Sequence, residues 1–147
     1  MSIQEELKKG AIAAAKSKDQ IKLDTIRMAS SAIKYKEIEK RGVLNEDEIQ
    51  RVLATLCKQR RESIEQFEKG GRKDLVEKEK RELEILKAFL PPELPEEEIR
   101  KKVKEIIGSM GATSPKDIGK VMRVLMKELA GQADGSVVGK IVQDLLK

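Results

Sequence analysis

The chain has 147 residues, enough for one ordinary domain or two very small ones. Charged residues make up 39% of it and aromatic residues only 2%, so the core must be aliphatic, which favours packed helices over a β-sandwich or barrel. The net charge of +5 permits phosphate-bearing partners without requiring them, while a single cysteine and no histidine exclude the common zinc-site patterns and Cys–His catalysis.

Two helices are predicted before residue 45. Ser2 and Glu5 form a capping box, in which each side chain bonds the other's backbone N–H, at the start of an alanine-rich first helix. Ser17 or Asp19 can cap a second helix, which Gly42 is expected to stop.

The next two helices extend to the proline pair at residues 91 and 92. Asn45 and Glu48 form a second capping box, and the helix that it opens carries apolar residues at helical spacing until a glycine pair ends it. A fourth, leucine-rich helix runs until Pro91 blocks its continuation. Because a connection of about three residues joins the second and third helices, each of roughly 20 residues, they are expected to form an antiparallel hairpin.

The segment FLPPELPEEEIR marks a domain boundary. Its prolines break one helix, and Pro95 followed by three glutamates is suited to begin another. Three shorter helices are expected after it, at about residues 95–109, 115–130 and 134–146. The predicted fold is therefore all-α: an N-terminal helical subdomain with a long hairpin, residues 1–91, and a small C-terminal three-helix bundle, residues 92–147.

The predicted helix at 115–130 carries basic residues on one face. Lys116, Lys120, Arg123 and Lys127 follow an i, i+4, i+7, i+11 progression, with apolar residues opposite them. Such a stripe can follow the phosphates of RNA, but it is also the ordinary solvent face of an amphipathic helix. With no aromatic side chain nearby, any RNA contact would read backbone and shape rather than stack on bases.

Gly119 and Gly139 lie inside two of the C-terminal helices, where a glycine costs about 1 kcal/mol relative to alanine. Close helix crossing is the favoured explanation, with each glycine making room for a neighbouring Val or Met. The alternative is functional: beside Lys120, Gly119 bares its backbone to a phosphate. Asp134 is predicted to cap the last helix, with Gly135 in the same turn.

Two arginines are candidates for burial. Arg27 is bracketed by apolar and small residues, and Arg60 falls on the apolar spacing of its helix. A buried arginine needs a partner, because an unpaired buried charge costs several kcal/mol. Pairing with Glu37, Glu62 or Glu65 would fix the register of the hairpin; ligand contact is the alternative.

Signatures of enzymes, membranes and export are mostly missing. Ser31 and Lys34 match an acyl-enzyme pattern that lacks its other elements, and no phosphate loop or dinucleotide fingerprint occurs. The glutamates after Pro95 are more simply a helix start than a metal site. We therefore predict no metal, no cofactor and no catalytic residues. With no apolar signal core and no bilayer-length apolar run, a cytoplasmic location without membrane contact is predicted.

Four segments, covering nearly the whole chain in order, resemble a known family. They are LDTIRMASSAIKYKEIEKR, EIQRVLATLCKQRRESIEQFEKGGRKDL, FLPPELPEEEI and GATSPKDIGKVMRVLMKELAGQADGSVVGKIVQDLL. They look like the small stand-alone proteins of the YqeY type, which are grouped with the tail domain of the GatB subunit of tRNA-dependent amidotransferases. The last segment is similar to the GatB tail, which likewise has a glycine before Val-Met and an Ala-Asp/Asn-Gly/Pro turn before its final helix.

The resemblance implies an all-helical fold with a long hairpin, and carbon–nitrogen ligase activity with glutamine as amide donor. In the amidotransferase the tail domain is thought to help hold the tRNA, while the chemistry lies in other domains. This sequence lacks the GatB catalytic cradle and any amidase nucleophile, so no activity is expected of the chain alone.

Together these observations predict an accessory protein that binds tRNA or another structured RNA by its backbone, through the basic helix face. The alternative is a helical adaptor with no RNA contact. Its partner would be a protein, such as an amidotransferase or aminoacyl-tRNA synthetase component.

Overall fold

A computed structural model describes residues 1–129 and 132–147 of the chain. In these residues the regular structure consists of seven α-helices and one short 3-10 turn, with no strand, so the predicted all-α class is confirmed. The chain divides into two compact units, Met1–Pro91 and Pro92–Lys147. Within the described ranges, no helix combines the length and the apolar character needed to span a bilayer.

The N-terminal unit contains four helices: α1 (Ile3–Lys16), α2 (Gln20–Lys40), α3 (Glu46–Lys69) and α4 (Lys73–Lys87). Both predicted capping boxes are present. The Ser2 hydroxyl accepts the N–H of Glu5 at 3.2 Å, and the Asn45 side chain accepts that of Glu48 at 2.9 Å. Each box satisfies N–H groups that the first turn of a helix otherwise leaves unpaired.

The two ends of α2 differ in how well the sequence predicts them. Asp19, rather than Ser17, is its N-cap. At the other end Arg41 has a φ of 60°, so it takes the left-handed conformation that was expected of Gly42. The N–H of Gly42 then closes the turn on the carbonyl of Glu37 at 3.1 Å. The helix therefore ends one residue before the position that the glycine indicated, despite the steric cost at Arg41.

The core of the N-terminal unit draws on all four helices. α3 packs most extensively against α4, and α1 against α2, while α2 also contacts α3 and α4. The predicted hairpin helices, α2 and α3, are thus in contact, but more of the packing of α3 is with α4. The buried side chains of this core are Ile3, Leu7, Ile26, Ala29, Ile33, Leu44, Ile49, Leu53, Leu56, Cys57 and Leu86.

Gly10 of α1 lies in a tightly packed part of this core. A Cβ on Gly10 would lie 3.0 Å from the Cδ1 of Ile26 in α2 and 3.2 Å from the ring of Phe89, which follows α4. Both distances are shorter than ordinary van der Waals contact. A side chain at this position would force its neighbours to give way, so α1 approaches them as closely as a glycine allows.

The C-terminal unit is a bundle of three helices, α5 (Glu96–Met110), α6 (Ile118–Glu128) and α7 (Gly135–Leu145), each in contact with the other two. A 3-10 turn, Pro115–Asp117, precedes α6, so the helix predicted from residue 115 begins three residues later. Its predicted end at residue 130 lies outside the described residues. The buried side chains of this core are Ile99, Val103, Val121, Leu125, Leu129, Val138, Ile141, Val142 and Leu146.

Candidate nucleic-acid interface

Three basic residues of α6, Lys120, Arg123 and Lys127, form one exposed helix face, the cationic face. Their spacing of three and four residues places them on one side of the helix, over a rise of about 10 Å. Val121 and Leu125 lie on the other side, and both are fully buried. Burial of that apolar side against α5 and α7 fixes the cationic face in solvent.

Lys116 does not belong to this α-helical face, contrary to the prediction. It is exposed, but it lies in the 3-10 turn before α6. A 3-10 turn has about 3.0 residues per turn instead of 3.6, so the regular progression from residue 116 is broken. Pro115 begins the turn, and the Asp117 carboxylate accepts the N–H of Thr113 at 3.1 Å. Lys116 is therefore a candidate contact beside the cationic face rather than a member of it.

The cationic face is not neutralised by nearby acids. Neither its three residues nor Lys116 form an ion pair with any residue in the described ranges. The N-terminal unit provides a contrast, since Lys40 pairs with Glu48 at 2.6 Å and Arg81 with Asp19 at 2.8 Å. The charge of α6 thus remains available to an external anion.

The glycines of α6 and α7 are not forced by packing. A Cβ on Gly119 would meet nothing within 4 Å, so the favoured packing explanation is wrong for this residue. Met122 does lie over Gly139, but 3.9 Å from the position of a Cβ, which is ordinary contact. Gly135 similarly faces Met126 at 3.5 Å. Flexible methionine side chains fill these spaces, so the helix backbones need no close approach there.

Asp134 provides the start of α7. Its carboxylate accepts the backbone N–H of Ser136 at 3.1 Å, and the Ser136 hydroxyl lies at the same distance. Gly135 follows as the first residue of the helix. These contacts give Asp134 a capping role within the fold.

Replacing Gly119 with alanine is expected to stabilise the protein by about 0.5–1 kcal/mol, because the site has room and alanine is the better helix former. Gly111→Ala is the matched contrast. It also has open space around it, but its φ of 65° strains any side chain, so stability should fall. Thermal unfolding of the full chain measures both. A loss of stability in Gly119→Ala would contradict the open environment of this glycine.

The two arginines predicted to be buried behave differently. Arg27 is exposed, so the prediction that it lies on a buried seam is wrong. Arg60 is half-buried, and its Nε lies 3.0 Å from Glu82 and 3.5 Å from Glu79, both on α4. The acids predicted as its partners were those of the hairpin, whereas the observed partners come from the helix that covers α3 most extensively.

The two carboxylates that face Arg60, those of Glu79 and Glu82, were not predicted from the sequence. The side chains of Arg60, Glu79 and Glu82 retain only 16–17% of their exposure, and two acids face one base. Burial, and then the charge of Glu79, raise the pKa of Glu82 above its ordinary value. Neither Arg60 Nε nor Glu79 Oε2 completes a hydrogen bond within the described part of the chain, so the contact between them is mainly electrostatic. Nowhere in that part do three potential metal ligands come together.

A family model described as Yqey-like protein matches residues 4–146 of the chain. Curated relatives named "Altered inheritance of mitochondria protein 41, mitochondrial" occur in several organisms. The Lachancea thermotolerans protein is 38% identical over 78% of this chain and 60% of its own length. The Clavispora lusitaniae protein is 32% identical over 99% of this chain and 86% of its own. The Kluyveromyces lactis protein is 33% identical over 90% of this chain and 68% of its own length.

These names contradict the predicted cytoplasmic location, because they point to mitochondria. That prediction rested on the absence of an apolar signal core and of a membrane span, neither of which reports on import into an organelle. The chain spans less than two thirds of the Lachancea relative's length.

Proposed function

The chain belongs to the YqeY-like family, and we propose that its C-terminal unit binds the phosphate backbone of tRNA or another structured RNA. The observation that carries the proposal is the cationic face, whose three charges have no acidic partner among the described residues. Cations of this kind gain free energy by displacing counterions from a nucleic acid. All three aromatic residues of the chain precede Pro92, so this unit offers phosphate contacts without base stacking.

Two neighbouring features support an RNA contact. Lys116 places a fourth exposed cation before α6, and the open surface at Gly119 leaves the backbone beside Lys120 accessible. The resemblance of this segment to the GatB tail supports tRNA as the RNA, since the tail is thought to help hold tRNA in the amidotransferase.

Salt dependence tests the proposal directly. Three phosphate contacts predict that the logarithm of tRNA affinity falls with the logarithm of salt concentration with a slope of about −2 to −3. Filter binding of bulk tRNA to the full chain over a series of salt concentrations measures this slope. Undetectable binding at low salt, or an affinity independent of salt, would count against a phosphate interface.

The proposal includes no catalytic step. The resemblance also implies amide transfer from glutamine, a reaction that needs an activated nucleophile. Cys57 is buried in the core of the N-terminal unit, and the chain has no histidine to activate it. We therefore assign the protein a binding role in which any transamidation chemistry belongs to another protein.

An adaptor role is the second candidate, and it uses the other unit. Tyr35 and Ile38 lie three residues apart on α2 and are 64% and 68% exposed, so they form a small apolar patch on one side of the helix. An amidotransferase or aminoacyl-tRNA synthetase component would be a suitable partner for an RNA-binding accessory protein. Because the two roles use different units, either can fail without the other.

A further inference from the structure

A groove of about 240 Å³ runs between α1 and α2. Its floor is apolar, formed by the buried residues Leu7 and Ile33. The only acid in its wall is Glu37, and that carboxylate already accepts the backbone N–H of Leu44 at 3.1 Å. The remaining walls are polar or basic: Gln4 and Lys8 from α1, and Ser30 and Lys34 from α2.

Basic residues continue along α2 beyond the groove. Arg27 and Lys34 lie seven residues, or about 10 Å, apart, which returns to nearly the same side of the helix. Arg41 follows at the left-handed C-cap, just outside the helix. Lys8 adds a cation on α1. All four side chains are exposed, and within the described residues none of them forms an ion pair. These four residues are the basic row, and they lack the ion pairs that Lys40 and Arg81 of the same unit form.

Apolar side chains lie beside the basic row. Ile38, four residues after Lys34, is mostly exposed and lies next to it, whereas the exposed Tyr35 lies about 100° away from Lys34 around α2. Val43, just after the end of α2, is 77% exposed. An apolar strip flanked by uncompensated cations is complementary to a surface that is apolar along its centre and acidic along its edge.

We propose that the α1–α2 groove docks an acidic amphipathic helix of a partner protein. A helix of about 15 residues spans the basic row, and its acidic side chains can pair with Lys8, Arg27 and Lys34. Its apolar face covers Ile38 and the floor of the groove. This inference specifies the partner of the adaptor role and does not depend on RNA binding by α6.

Charge and apolar exposure together favour this occupant over two others. RNA phosphates would use the basic row, but they gain nothing from Ile38 and the apolar floor of the groove. A second copy of the chain, docked through the same surface, would bring its own basic row against this one, and such like-charge contacts oppose association.

Anisotropy of labelled peptides, titrated with the full chain, tests the docking. The probe is a helical peptide of about 20 residues with leucines along one face, glutamates along its flanks and no aromatic residue. A matched peptide has lysines in place of the glutamates. The glutamate peptide should bind, and the lysine peptide should not.

Charge reversals on the protein complete the test. Arg27→Glu/Lys34→Glu should weaken the glutamate peptide about tenfold or more. Lys58→Glu/Lys73→Glu makes the same charge change at exposed lysines of α3 and α4, and should change affinity less than about twofold. Failure of the glutamate peptide to bind, equal binding of both peptides, or no loss on reversal of the row would overturn the proposal.

Two further results would reassign the surface. The first is that Arg27→Glu/Lys34→Glu loses tRNA binding while variants of α6 retain it. This result would show that the basic row binds RNA. A dimer in sedimentation that Ile38→Ser dissociates would show that a second copy of the chain occupies this surface. Either result overturns docking of an acidic helix.

Discussion

Reversing the charge at Lys120 and Arg123 is expected to lower the affinity for bulk tRNA by about 100-fold at low salt. Each substitution replaces a phosphate contact with repulsion, and each lost contact should reduce the magnitude of the salt slope by about one unit. Neither side chain pairs with an acid in the described ranges, and both are exposed. The stability of the fold should therefore not depend on their charge. Lys120→Glu/Arg123→Glu should therefore keep its helicity by circular dichroism.

The matched control is Lys58→Glu/Lys73→Glu, which lowers the net charge of +5 by the same amount but alters the N-terminal unit. It should lose only the few-fold affinity that a general change in charge produces. Equal losses in both double variants would show that net charge, rather than the cationic face, determines binding. That result would contradict the assignment of α6.

Replacing Arg60 with methionine is expected to lower the free energy of unfolding by about 2–3 kcal/mol. Methionine keeps much of the apolar volume but removes the guanidinium that faces both Glu79 and Glu82. The loss should be smaller than for a fully buried pair, because all three side chains retain some exposure to solvent. Urea unfolding of the full chain measures it, with Lys58→Met, at an exposed residue of the same helix, as the control.

The pH dependence of Arg60→Met separates charge repulsion from lost packing. The pKa of Glu82 is already raised by burial and by Glu79, and Arg60 opposes that shift. Because Glu82 then binds its proton more tightly in the folded state than in the unfolded state, the free energy of unfolding falls as the pH rises through the two pKa values of Glu82. Arg60→Met should enlarge the effect, so part of its lost stability should return on acidification from about pH 7 to about pH 5. Adding Glu79→Gln and Glu82→Gln should remove the dependence; its persistence would point to another group.

The features predicted correctly from the sequence are those set by neighbours in the chain. The boxes at Ser2 and Asn45 form because each cap and its partner are three residues apart and need no tertiary contact. The apolar and basic sides of α6 separate for the same local reason. The stop at Gly42 was misplaced by one residue, because the chain can reach the left-handed conformation at Arg41 instead.

Contacts between different helices were not predicted correctly from the sequence. The partners of Arg60 are 19 and 22 residues away, on a helix whose packing against α3 cannot be read from spacing alone. Arg27 was misjudged because its apolar neighbours are adjacent in sequence, and adjacent residues on a helix point about 100° apart. Gly119 and Gly10 look alike in sequence, and only the positions of neighbouring side chains show that Gly10 is the constrained one.

The close approach at Gly10 makes this residue a spacer between α1 and α2. Its missing side chain sets how near α1 lies to Ile26, and the same separation sets the width of the groove between Leu7 and Ile33. A docking surface can thus be tuned from the core side of a helix, at a residue that no partner touches. Graded substitutions at Gly10 would widen the groove in steps, which offers a way to change partner size without altering any charge on its rim.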